Sequence, residues 1–337
     1  PQIRLGGIRL DNRAIQAGDA FVAVKGRTHH GLDHARSAVA AGAVAVIHDG
    51  QRTPPRLDVP SIRIDGLAHK LGELASRYYA APSELMTIAG VTGGHGTSSV
   101  AHYLAQSWRR VYGNAGVVGT QGDGPVGVSQ DGKRATPDAI RLQQVLAGCA
   151  DSGIEHLAMK VPSRALRQKC LETVQFDAAI FTGGRNTLGG GRLRSTEQID
   201  AHRLLFTDYA PSFAVINHDD AHGRRWFGEL NAGMQALSFG LQKGAELRAE
   251  LQNTYTNGMA FLIDGPWGSE RVYTTLRGEA SLRHLLATAG TLALLGMPWH
   301  RVLHQLEIME PLTARNRQSR AAGAGDHARA PGLEVAA

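Results

Sequence analysis

The chain has 337 residues, 42% hydrophobic and 20% charged, enough for two or three ordinary soluble domains and unlike a stapled mini-module or a fibre. Lys and Arg number 36 against 30 Asp and Glu, a formal charge of +6, but the excess is scattered. The densest basic stretches, Arg109-Arg110, Arg192 with Arg194, and Arg224-Arg225, lack the interleaved aromatics of a nucleic-acid platform.

In chain order, Ala20 to Val24 reads as a strand, Leu32 to Ala43 as a helix, and Val44 to Ile47 and Ser61 to Ile64 as further strands. Leu71, Leu74 and Tyr78 recur at helical spacing within a helix from Leu67 to Tyr79, and Pro82-Ser83 closes a first unit at about residue 84. A strand from Leu85 to Ala89 then runs through a glycine-rich turn into a helix from Ser98 to Val111. Later strands are predicted at Ala115 to Val118, His156 to Met159, Ala178 to Phe181 and Phe213 to Asn217, with helices at Pro137 to Ala147 and Thr196 to Phe206, which are parallel-sheet spacings. From Met234 to Gly278 the pattern turns β-rich, with hairpin strands at Met259 to Ile263 and Arg271 to Thr275. Helices at Leu282 to Leu295 and His300 to Ile308 follow, and the Ala/Arg/Gly-rich segment 313–337 reads as a disordered tail. Two cysteines, Cys149 and Cys170, offer neither a disulfide framework nor a cysteine-based zinc site. No apolar run reaches the roughly 20 residues that span a bilayer, so a cytoplasmic protein without nucleic-acid or membrane partners is expected.

The turn after the fourth of these strands carries the chemistry. It reads Gly90-Val91-Thr92-Gly93-Gly94-His95-Gly96-Thr97-Ser98-Ser99, and a strand, glycine turn and helix in that order point free backbone N–H groups at an anion. The phosphate-loop pattern G-x-x-x-x-G-K-[ST] is met only at Gly96 and Ser98; Thr97 fills the lysine slot and brings no cation. The same turn also serves purely structural ends, so anion binding and a structural turn both stand at this point.

An ordered series of motifs resembles the Mur ligases, in particular those that add the third amino acid to UDP-N-acetylmuramoyl-dipeptide. It runs from Asp11-Asn12-Arg13 and Gly18-Asp19-Ala20-Phe21-Val22-Ala23 through Tyr79, Pro82-Ser83, Gly90-Val91-Thr92-Gly93 and Thr136-Pro137-Asp138. It continues through Val215-Ile216-Asn217 with Asp219-Asp220 to Leu292-Ala293-Leu294-Leu295-Gly296, nearly all of residues 1–312. The resemblance implies an α/β fold: an N-terminal UDP-sugar-binding domain (1–84), a central ATPase-like domain of the phosphate-loop type with a mainly parallel sheet and β-rich extension (85–312), then the tail. The family's third, amino-acid-receiving domain is expected to be absent.

The resemblance also marks departures. The family's loop lysine falls at Thr97, its magnesium-binding glutamate at Lys160, a following histidine at Arg164, its Asn/Asp/His cluster within Gly183 to Arg192, and its carbamylated lysine at His202. A lysine in place of a carboxylate inverts the local charge, so a magnesium site is not expected. Candidate cofactor-binding residues are Gly93, Gly96, Thr97, Ser98 and Ser99 for ATP, Asn12 and Arg13 for a UDP-sugar, and Lys160 and Arg164 for phosphate; no catalytic residue or metal ligand is assigned. Lys160, Arg164 and Arg185 read either as surface charges or as the phosphate-facing charge lost with the loop lysine, and His95 and His202 as solvated or helix-face side chains. The expectation is a catalytically impaired pseudoenzyme that binds, scaffolds or regulates cell-wall precursor enzymes or a UDP-muramoyl nucleotide. The alternative is an ATP-dependent amide-forming ligase acting on a UDP-muramoyl-peptide or related carboxylate, with metal-independent phosphate binding. A third reading is a decaying protein with little stable function.

Overall fold

The computed structural model describes residues 3–26, 29–119, 122–127, 137–184, 196–312 and 334–335. The N-terminal part is built on a four-stranded parallel sheet of β2 (Gly7–Arg9), β3 (Asp19–Ala23), β4 (Ala45–His48) and β5 (Ser61–Arg63), in that order. β1 (Ile3–Arg4) precedes the sheet in sequence, and α1 (Ala35–Ala40), after a short 3-10 turn, connects β3 to β4. β3 and β4 are buried on both faces, which explains their unbroken apolar runs. One face packs under α2 (Leu67–Tyr78), where Leu67, Leu71, Ala75 and Tyr78 form the helical stripe the sequence shows.

A ten-stranded sheet forms the central part. Chain order runs β6 (Thr87–Thr92), α3 (Thr97–Tyr112), β7 (Gly116–Gly119), β8 (Gly122–Pro125), α4 (Ala139–Asp151), β9 (His156–Lys160), α5 (Ser163–Arg167) and β10 (Ala178–Phe181). It continues with α6 (Thr196–Asp200), α7 (Leu204–Thr207), β11 (Phe213–Asn217), α8 (Ala221–Phe227), β12 (Gln235–Gly240), β13 (Leu247–Tyr255), β14 (Gly258–Gly265), β15 (Gly268–Thr274), α9 (Gly278–Leu294) and α10 (Trp299–Glu307). Spatial order is β15-β14-β13-β12-β11-β10-β6-β9-β7-β8; β7 and β9 to β13 pair parallel with β6 among them, while the two ends are antiparallel hairpins. This is the expected phosphate-loop sheet with its β-rich extension.

Both faces of the sheet are covered. α3, α9 and α10 close one apolar layer around Trp108, Phe239, Phe261 and Leu286, and α4, α5, α7 and α8 close the other around Leu142, Phe181, Phe206 and Trp226. Cys149 is buried in the second layer and Cys170 is half-buried; burial pushes the Cys149 thiol up to about 12.

The two sheets are joined through polar bonds. Arg9 pairs with buried Asp19 (Nε–Oδ2 3.1 Å) and also donates to Gln144 Oε1 on α4 (2.8 Å), and Thr173 Oγ1 donates to Gly72 O on α2 (3.2 Å). Of the segment expected to be a tail, only Glu334–Val335 (β16) fall among the described residues, and they pair antiparallel with β1.

Candidate nucleotide site

β6 lies between β10 and β9, and its carboxyl end opens into the glycine turn that leads to α3. The turn is fastened to the neighbouring strand end. Thr182 N donates to Thr92 O (3.0 Å), Thr182 Oγ1 to His95 O (2.7 Å), and Gly94 N to Gly183 O (2.7 Å). So close an approach leaves no room at Gly93, where φ is +135° and a Cβ would press on Thr182 and Gly183. Behind it, Asn217 Nδ2 donates to Thr182 O (2.9 Å), and Asp220 accepts from Gly184 N (2.9 Å) while capping α8 through His222 N (2.9 Å) and Gly223 N (3.2 Å).

Gly96, at φ +79°, is the N-cap of the 16-residue α3 and places no side chain on the helix N-terminus. The first-turn N–H groups of Thr97, Ser98 and Ser99 therefore face outward with the positive end of the helix dipole. Thr97 itself is buried, and Ser98 and Ser99 are half-buried. A cation from another strand stands beside this turn: Lys160, at the end of β9, donates through Nζ to Ser98 Oγ (3.1 Å). Its stem packs on Gly119 at the end of β7. Ammonium and helix N-terminus are both positive, and an anion between them satisfies both.

The other candidates bond elsewhere. Arg164 is exposed and donates to Gln168 Oε1 (3.2 Å). In the N-terminal sheet region, Asn12 donates to Ser37 Oγ (3.0 Å) and Arg13 forms an exposed pair with Asp11 (2.7 Å). Arg185 lies outside the described residues, as do residues 186–192. His95 is exposed as expected, but His202 is not the solvated or helix-face side chain the sequence suggests: it is 1% exposed, with Nδ1 2.6 Å from Thr92 Oγ1. Thr92 spends its one hydroxyl proton on Val161 O (2.7 Å), so His202 Nδ1 carries the proton and donates to Thr92. The burial of His202 depends on a contact with Thr92, 110 positions away in the chain, which no local pattern shows.

Lys160 stands where the resemblance places the family's magnesium-binding glutamate. Hard cations take several oxygen ligands, the central position is an ammonium, and no group of three or more Asp, Glu, His or Cys side chains suited to a metal occurs among the described residues. A helix N-terminus capped by glycine, a pinned glycine turn and Lys160 converge at one place.

The family description "Mur ligase middle domain" matches residues 91–292, and "Mur ligase family, catalytic domain" matches residues 4–79. The chain belongs to the Mur ligase family. It is 35% identical to the UDP-N-acetylmuramoyl-L-alanyl-D-glutamate–2,6-diaminopimelate ligase of Alkalilimnicola ehrlichii over 92% of this chain and 65% of that one. It is 33% identical to the ligase of the same name from Xanthomonas campestris over 96% and 66%. A solved structure of a ligase of that name superposes with TM-score 0.76 at 24% identity, over 92% of this chain and 64% of its own, and supports the fold. The chain thus spans just under two thirds of the length of these Mur ligases. Among the described residues no helix is long and apolar enough to cross a membrane.

These relatives correct the pseudoenzyme expectation. Proteins matched along nearly the whole of this chain are ligases, and the ligase alternative is the reading they support. The expectation rested on departures at single positions, whereas the match to these ligases runs along nearly the whole chain.

Proposed function

We propose that this chain is the nucleotide- and carboxylate-handling part of an ATP-dependent amide-forming ligase, acting on a UDP-muramoyl-peptide or a related carboxylate. The observation that carries the reading is the Lys160–Ser98 contact at the N-terminus of α3. In such a reaction the substrate carboxylate oxygen attacks the terminal phosphorus of ATP, ADP leaves, and an acyl phosphate forms. An amine then attacks the acyl carbon, phosphate leaves with the electron pair of the C–O bond, and the amine proton passes to solvent. Negative charge collects on the transferring phosphoryl oxygens, and this chain's own contribution is fixed positive charge and N–H dipoles placed there beforehand. Lys160 holds that charge without a metal, while Gly93, Gly96, Thr97, Ser98 and Ser99 shape the backbone cradle. Asn12 and Arg13 belong, on this reading, to the UDP-sugar end. Enzymes that make or consume UDP-muramoyl-peptides are the expected pathway partners.

Calorimetric titration with ATP in the presence of a chelator tests the reading. Binding is expected for the unaltered chain, with at least a tenfold loss in Lys160→Glu; equal affinity of the two would overturn it. Titration with UDP-N-acetylmuramoyl-dipeptide tests the second substrate separately, and loss of its binding in Arg13→Glu would support the assignment at that end.

A further inference from the structure

The second turn of α9, which packs on the same face of the sheet as α3, reaches the nucleotide loop. Arg283 is held by Asp219 (Nε–Oδ2 2.7 Å), whose buried carboxylate also accepts from Leu241 N and Gln242 N (both 3.0 Å). This latch sets the next residue, His284, against Gly96, where a Cβ would collide with the imidazole and Nε2 is the nearest atom. His284 is half-buried, and among the described residues neither of its ring nitrogens has a hydrogen-bond partner. A polar ring is therefore brought to the N-cap of α3 by an ion pair on the neighbouring residue.

Among the described residues, two charged or titratable groups act on it. His95 faces it from the loop, and Arg283 stands beside it on its own helix, shared with Asp219 and Glu279 (3.3 Å). Lys160 reaches Ser98 in the adjoining turn. Burial, then Arg283 and His95, pull the His284 imidazole down to about 4, so the ring is neutral at pH 7 in the free protein. A polyphosphate brings two or more negative charges into the same space and reverses that balance.

We propose that His284 is a phosphate-contacting group whose charge is induced by the ligand: neutral in the free protein, it takes up one proton from solvent as a polyphosphate enters the loop, and stands against it as imidazolium. The inference rests on the reading of this loop as a nucleotide site. It gives the site a second cation that, unlike a permanent one, does not repel the helix N-terminus when the loop is empty.

The experiment uses the full chain with ADP and no magnesium. Nitrogen-15 NMR of the imidazole rings at pH 7 should show the His284 pair, assigned by its loss in His284→Gln or by through-bond correlation, changing from the neutral to the imidazolium pattern on saturation. Calorimetry in buffers of differing ionisation enthalpy should show the unaltered chain taking up about half a proton to one proton more per ADP than His284→Gln; the protons of ADP itself cancel in that difference. ADP bound with His284 still neutral, or with equal proton counts in the two proteins, would overturn this inference and leave the nucleotide site standing. Absence of ADP binding at every pH would overturn both. Should His284→Gln fail to fold, the NMR comparison on the unaltered chain decides.

Discussion

Asp220 joins fold and site, and its replacement separates two contributions. One carboxylate oxygen caps α8 through His222 N and Gly223 N, and the other accepts from Gly184 N, next to the Gly183 carbonyl that holds Gly94. Asp220→Ala removes both. The cap is worth about 1 kcal/mol, and stranding the buried Gly184 N–H beside a lost charged acceptor costs about 2 kcal/mol, so unfolding in urea should show a loss of about 3 kcal/mol. Asp220→Asn keeps one oxygen for the cap but turns an NH2 toward Gly184, and should lose only the second part, about 2 kcal/mol. Because Gly183 and Gly184 anchor the loop, ADP affinity should fall in both variants. Asp220→Ala within about 0.5 kcal/mol of the parent would refute the reasoning, since that is the range of a surface change with no role. Unchanged ADP affinity in a destabilised Asp220→Asn would sever the link between this network and the loop.

Gly96→Ala should lower the melting temperature and ADP affinity through its collision with His284. Gly96→Ala combined with His284→Ala should recover stability except for about 1 kcal/mol of left-handed strain, and no recovery would mean that the ring is not the obstacle. Stability should rise from pH 4 to pH 6.5, because burial lowers His284, His102 and His156 and the unfolded chain binds more protons across that window. The slope in acid titrations of unfolding free energy should be shallower in His284→Gln, and an equal slope would contradict the assignment. Arg9→Ala leaves Asp19 charged and buried between the two sheet regions, and urea unfolding should show a loss of about 3 kcal/mol; a loss under about 1 kcal/mol would place that pair among the weak surface pairs.

The parallel strands were legible because burial on both faces leaves an unbroken apolar run, as at Ala178–Phe181 and Phe213–Asn217, which the sequence bounds to the residue. The helix expected from Leu32 to Ala43 instead divides into a 3-10 turn and the short Ala35–Ala40 helix, the first capped by His30 with Asp33. β13 escaped as a separate element because six of its nine residues are exposed, so tertiary pairing with β14 and not its own apolar pattern makes it a strand. β2 and α8 are three and seven residues long, too short to show a period. At the site, the glycine turn was visible in a ten-residue window, whereas Lys160 meets Ser98 only through the register that sets Lys160 beside Val91. Asp219-Asp220 stand in the sequence only as part of an ordered motif, and their partners at Arg283 and Gly184 belong to other elements. Nothing local distinguishes His284 from any other helical histidine, since its meaning comes from the distant glycine against which it packs.

The placement of β6 also orders the assembly of the protein in time. Its first residues pair with His156 on one side, and Ala89 pairs with Ala178 on the other, so both neighbours are synthesised long after β6 itself. Closing such long intervals of chain precedes any gain from the contacts and slows folding relative to local pairing. The turn at Gly93–Gly96 cannot acquire its Thr182 and Gly183 bonds until that far segment has been made and docked. The anion cradle is thus a late product of folding, and a fragment ending before about residue 184 would carry its glycine signature without ever forming it.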